Sequence, residues 1–218
     1  MVMALGALLG MASLLRGDPG RAMGVDPLSW RPSGETEARF LGIVRQSEDH
    51  SCGYAAVATV LASLGHPVSE RELMDGTGPG ARLRPASVAD LIRVFERHGV
   101  RAHAVRSSWE QLRSYFARFT RPAVALVDHG RRHFTVLLAA DADAVYLADP
   151  SLGHRVLSPT RFRAGWTGVL VLVDPGGRLG SSGSGSETAV VEALRQMRKR
   201  HRLLMRWPVG DGWAGGGR

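Results

Sequence analysis

One cysteine occurs in the 218 residues, Cys52, within Gln46-Ser47-Glu48-Asp49-His50-Ser51-Cys52-Gly53. Apolar residues follow at Ala55, Ala56, Val57, Val60, Leu61 and Leu64, a spacing that predicts a buried helix beginning at the cysteine and ended by Gly65 and Pro67. A thiolate at a helix N-terminus is stabilised by free amides and by the positive end of the macrodipole, which makes it a nucleophile near neutral pH. A lone cysteine is more often a small buried hydrophobe, so its neighbours decide. Gln46, six residues upstream, can bring its amide NH₂ beside the Cys52 backbone N–H as an oxyanion hole. Gly53 removes a side chain next to a scissile carbonyl. His133 begins the alternating run His133-Phe134-Thr135-Val136-Leu137-Leu138, and Asp149 ends the next strand in Tyr146-Leu147-Ala148-Asp149-Pro150. Antiparallel strands joined by a hairpin set their open ends side by side, so the carboxylate can hold the imidazole in one tautomer. The set reads as Cys52 nucleophile, His133 base, Asp149 orienter and Gln46 oxyanion donor.

The elements that must position these groups divide the chain. Ser69-Glu70-Arg71-Glu72 is a capping box for a second helix. Ser87 caps a third with Val88, Leu91, Ile92 and Phe95 on its core face, and Ser108 a fourth through Leu112, Tyr115 and Phe119. Strands are expected over Ala123–Val127, Phe134–Ala140, Ala144–Ala148, Arg155–Leu157 and Gly168–Val173. Helices first and a mainly antiparallel sheet second make an α+β domain over residues 40–174. Residues 1–23 read as a signal peptide or apolar N-terminal segment. Residues 24–39 are a linker, 175–187 a Gly/Ser linker, and 188–218 a basic amphipathic helix with a flexible tail, its apolar side at Val190, Leu194, Met197 and Leu204.

Composition narrows the classes. A single cysteine excludes a disulfide framework and thiolate zinc sites. No apolar run reaches 18 residues, the length of a conventional membrane-spanning helix. The net charge is +8, but half of it lies in the last 32 residues, so no basic stripe marks the folded part and nucleic acid is not an expected partner. His129 and His133 have the spacing of a helical metal pair, yet Arg131-Arg132 and the following strand oppose a helix and no third ligand is evident, so no metal is expected. Asp141 and Asp143 read as turn residues, and Gly176-Gly177 and Gly215-Gly216-Gly217 as linker and terminus.

With these pieces in order, the chain resembles the C39 peptidase family, papain-like cysteine proteases best known for removing double-glycine leaders at ABC exporters. The resemblance covers roughly Val44 to Val173: Gln46 and Cys52-Gly53, His133-Phe134-x-Val136-Leu137, Asp149-Pro150-x-x-Gly153, then Phe162 with Trp166-x-Gly168. Ser51 stands where the family usually has aspartate. The motif G-x-x-x-x-G-K-[ST] does not occur, so ATP is not expected to bind this chain, which resembles stand-alone members accompanying secretion systems, including those for functional amyloid.

The resemblance implies a papain-like fold and a cysteine endopeptidase that cuts a peptide or protein secretion substrate after a small-residue, Gly-Gly-like site, with no metal or organic cofactor. The partners it implies are that substrate and a secretion-system component, while the basic C-terminal helix can touch a membrane or partner. The expected location is periplasmic or extracytoplasmic, the alternative being the cytoplasmic face of the inner membrane. Two competing readings are a non-cleaving C39-like binding or accessory domain for a secretion system, and another acyl transfer on the same scaffold.

Overall fold

In a computed structural model of the chain, residues 39–78, 80–174 and 187–206 are described. The N-terminal apolar segment, most of both linkers, the two glycine runs and the tail beyond residue 206 lie outside them. Three helices come first: α1 (Cys52–Ser63), α2 (Glu70–Thr77) and α3 (Val88–Arg97). They are followed by β1 (Ala102–Arg106), α4 (Trp109–Arg118), β2 (Ala123–Asp128), β3 (Arg132–Ala140), β4 (Val145–Asp149), β5 (Gly153–Leu157), α5 (Pro159–Arg163), β6 (Trp166–Val173) and α6 (Glu187–Arg206). The six strands form one sheet in the order β1-β6-β2-β3-β4-β5, and every neighbouring pair is antiparallel.

Local chemistry explains the helix starts. Ser69, Ser87 and Ser108 each accept the N3 amide while Glu72, Asp90 and Gln111 reach back to the cap, three complete capping boxes. Helix α1 is apolar all round, and every residue from Cys52 to Leu61 is buried, as a helix at the centre of a domain must be. Its Tyr54, Val57 and Leu61 pack with Phe134, Val136 and Leu138 of β3 in the larger core. On the opposite face Leu112, Leu137, Leu147, Phe162 and Leu170 make a second core beneath α4 and α5. The sheet therefore separates two apolar layers, with α1 on one side and the α4–α5 layer on the other.

Three features depart from the expected layout. Strand β1 was not anticipated: it is an edge strand with mostly exposed side chains, and its pairing of Ala102 with Val173 comes from the far end of the domain. Helix α5 is short, though Ser158 as cap with Pro159 at the first helical position is a recognisable start. The basic helix α6 lies against the domain rather than apart from it. Ala193 and Met197 are buried, Leu194 packs on the larger core, Arg198 stacks over Tyr146 at 5.6 Å, and the Tyr146 hydroxyl meets His201 Nδ1 at 3.4 Å.

Candidate active site

Cys52 is the first residue of α1, and Ser51 is its N-cap. The Ser51 hydroxyl turns back on its own loop, accepting from the Glu48 N–H at 3.0 Å and donating to the Glu48 carbonyl at 2.8 Å. It makes no bond to the helix, so the cap side chain consumes none of the amides that favour a thiolate there. The loop is held from several directions. Ser47 N–H donates to the buried Glu70 carboxylate at 3.0 Å, Val44 N–H to Thr59 Oγ1 at 3.0 Å, and Arg131 to the Asp49 carbonyl at 2.5 Å.

His133 and Asp149 come from the sheet. Strands β3 and β4 pair Val136 with Ala148, so one step outward sets Thr135 against Asp149, and His133 stands diagonal to it, within side-chain reach. His133 Nε2 meets Asp149 Oδ1 at 3.1 Å, which leaves Nδ1 for the cysteine. The Asp-Pro-x-x-Gly motif then has a physical explanation. Asp149 Oδ1 also accepts the N–H of Ser151 at 2.9 Å and of Leu152 at 3.1 Å, an Asx turn that fixes the carboxylate. The Pro150 carbonyl accepts the Gln46 N–H at 3.0 Å. Gly153 has φ +78°, and a Cβ there would lie 2.5 Å from the Arg39 carbonyl oxygen.

These contacts set the protonation states. Burial pushes the Cys52 thiol up, but the hydrogen bond to His133, the N–H of Phe134, the imidazolium charge and the N–H of Gly53 outweigh it and bring the thiol below its ordinary value. Burial pushes His133 down, and the bonds and charges of Asp149 and Cys52 more than reverse this, so the imidazole is pushed up to about 9. Asp149 is likewise driven up by burial and held down overall by His133 and the two turn amides. The lowered thiol and the raised imidazole both favour a thiolate–imidazolium pair over the neutral one.

Gln46 lies in the same place with its amide orientation settled. The Glu48 carbonyl can only accept, so the group 2.9 Å from it is Nε2, and Oε1 accepts from the Ser151 hydroxyl at 2.6 Å. One amide hydrogen goes to Glu48, and the second remains for a ligand. The structure thus brings Gln46, Cys52, His133 and Asp149 into one cluster. Gly53 faces elsewhere: a Cβ on it would come 3.0 Å from Ala86 and Leu91 and 3.1 Å from Phe134, so glycine is needed for close packing of α1, whereas the sequence reading placed it beside the substrate. Ser151 and Glu70 were not singled out from sequence. Ser151 falls inside the Asp-Pro-x-x-Gly turn and could have been found there, while the Glu70 contact spans 23 residues and leaves no local signal.

Beside His133 and Asp149 opens a cleft of about 400 Å³, floored by Leu147, Leu157 and Phe162. Phe162 stacks on Trp166 at 5.5 Å and meets Trp109 at 6.4 Å, which explains the aromatic positions of the sequence motif as a support for this floor. Asp141 accepts the N–H of Asp143 and Ala144, a turn. His129 lies over Gly165, whose Cβ would clash with the ring.

Comparison with known proteins agrees with this architecture. A model of the Peptidase C39 family matches residues 41–177. A Pseudomonas aeruginosa protein named "Probable functional amyloid protease FapD" is 35% identical over 144 residues, which are 63% of this chain and 62% of that protein's length. The peptidase domain of Streptococcus ComA, a bifunctional ABC transporter, superposes with a TM-score of 0.55 at 20% identity, over 62% of this chain and 98% of that domain. A double glycine motif protease from an AMS/PCAT transporter, solved with its leader peptide, gives 0.52 at 21% identity, covering 60% of this chain and 89% of that one. Both solved structures share the antiparallel papain-like arrangement, and the family match spans more than half of the residues. The chain therefore belongs to the peptidase C39 family, whose model matches it over residues 41–177.

Proposed function

We propose that the protein is an endopeptidase in which Cys52, His133 and Asp149 act as a triad and Gln46 as oxyanion donor, cleaving a secreted peptide or protein after a Gly-Gly-like site. The hydrogen-bonded chain Cys52–His133–Asp149, with its acidified thiol and an imidazole titrating near 9, carries this reading. The Cys52 thiolate attacks the scissile carbonyl, and the tetrahedral oxyanion takes a hydrogen bond from the second Gln46 amide hydrogen. His133 gives its proton to the leaving amine, and a water deprotonated by His133 then releases the acyl group from sulfur. Cys52 is only 6% exposed, an aperture that suits glycine on the acyl side. The double glycine motif protease noted above is consistent with that preference.

The substrate class and an extracytoplasmic location, with the N-terminal apolar segment as export signal, belong to the same proposal. The test is incubation with Gly-Gly, Gly-Ala and unrelated peptides, mapping cuts by mass spectrometry, with Cys52→Ala as control. Cleavage after small residues that vanishes in Cys52→Ala is expected. Cleavage retained by Cys52→Ala, or none by the native chain alongside a thiol that labels with an ordinary pH profile, would overturn the reading in favour of a binding domain.

A further inference from the structure

The cleft beside the triad has a composition that the cleavage chemistry does not require. His133 and Asp149 line it, but Cys52 does not. Because His133 must deliver its proton to the departing amine, the part of the substrate that leaves first has to lie on the imidazole's side, where this cleft opens. Three arginines line it: Arg131 and Arg132 at the turn into β3, and Arg155 on β5. Two carboxylates face them. Asp149 is 3% exposed and committed to His133 and the turn amides, with Arg155 at 4.0 Å from its other oxygen, and Asp49 sits at the exposed rim. The balance of the walls is cationic.

The floor adds a second, independent observation. Thr135 lines the cleft and is 1% exposed, yet its hydroxyl has no hydrogen-bond partner. A buried hydroxyl left unpaired is destabilising, so a donor of this kind at the bottom of an open cavity fits an incoming acceptor. It lies on the same face of β3 as His133, one pleat repeat inward, roughly 7 Å along the strand. The aliphatic and aromatic floor suits the methylenes of a side chain whose end is charged. Resting on the peptidase reading above, we propose that this cleft is the subsite for the leaving segment of the substrate and selects an acidic side chain, aspartate or glutamate, whose carboxylate takes the Thr135 hydroxyl as donor and Arg155 and Arg132 as counter-charges.

The experiment uses peptides identical up to and including Gly-Gly, with Glu, Gln or Lys placed in turn at the first, second and third positions after the cut. At one of these positions Glu is expected to exceed Gln about tenfold in kcat/KM, and Lys by more, the preference shrinking in high salt as screening weakens it. Arg132→Glu should abolish or invert the Glu/Lys ratio, and Arg155→Glu should do the same. The ratio is read within each variant, so an overall loss of rate cancels. Thr135→Val should lower the Glu/Gln ratio several-fold while leaving the thermal midpoint unchanged or higher. Cleavage of all three peptides at equal rates at every position, or a ratio untouched by both arginine reversals, overturns this assignment alone. Failure to cut any Gly-Gly peptide overturns the peptidase reading and this one with it.

Discussion

Asp149→Asn isolates what the carboxylate charge contributes. The side-chain amide oxygen of the substituted residue can still accept from His133 Nε2 and from the Ser151 and Leu152 amides, so the geometry is retained and only the charge is lost. An imidazole titrating near 9 instead of the ordinary 6.5 corresponds to roughly 3 kcal/mol in favour of imidazolium. Asp149 and Cys52 both hold it up, with the Asp149 hydrogen bond foremost. Because the asparagine keeps the hydrogen bond, only the charge of Asp149 is lost, which costs on the order of 1–2 kcal/mol, or about tenfold in the population of the ion pair. The sign follows for each limb of the pH profile. With the imidazolium weaker, the alkaline limb moves down from about 9 by roughly one pH unit, and the thiolate, less supported, forms at higher pH than in the native protein. Alkylation of Cys52 by iodoacetamide measures this directly: Asp149→Asn should react about tenfold more slowly near pH 6 and equally fast above about pH 10. The kcat/KM near neutrality should fall about tenfold or more with little change in KM. Superimposable alkylation profiles for the two proteins would refute the coupling.

Other perturbations test the supports. Gly153→Ala forces a side chain into the left-handed region and onto the Arg39 backbone, so a loss of roughly 1–3 kcal/mol and a lower thermal midpoint are expected. Glu70→Ala leaves the Ser47 N–H without its acceptor, which costs about 1–3 kcal/mol of stability in urea titration. It should also lower kcat by loosening the Gln46–Cys52 loop, and Glu70→Gln, which keeps an acceptor, should restore most of both. Met197→Ala should lower the stability read from urea titration by about 2 kcal/mol because this side chain of α6 is buried in the domain core; a midpoint that does not move would mean that α6 is not part of the cooperative unit.

The parts legible in the sequence are those specified locally. The three Ser-x-x-acid/amide caps announced their helices, the apolar run of α1 announced its burial, and the order Gln46, Cys52, His133, Asp149 pointed to residues that the fold gathers into one cluster. What escaped depends on contacts between distant residues. Strand β1 has little apolar pattern because it is an edge, and its existence is decided by β6. Gly53 was read from chemistry beside it, whereas Ala86, Leu91 and Phe134, brought in by other elements, decide its role. Residues 188–218 read as a basic amphipathic helix and tail with Leu194 and Met197 on its apolar side, and what the sequence left open, whether that side meets the domain, is decided by the burial of Met197 and Ala193 and the packing of Leu194. The cationic cleft draws its arginines from β5, from the first residue of β3 and from the turn before it, a juxtaposition that no spacing along the chain encodes.

The thiol's acidity is borrowed. Cys52 stands on the helical layer, whereas the ring and the Phe134 amide that acidify it belong to β3, 81 or more residues later in the chain. A chain still being synthesised, or one held unfolded by a chaperone, has neither neighbour in place and carries a cysteine of ordinary reactivity. Strand β6, which sits between β1 and β2, must also arrive before the sheet is complete. The acidified thiol therefore exists only once the helical layer and the sheet have come together, so tertiary assembly itself switches on the chemistry proposed for Cys52.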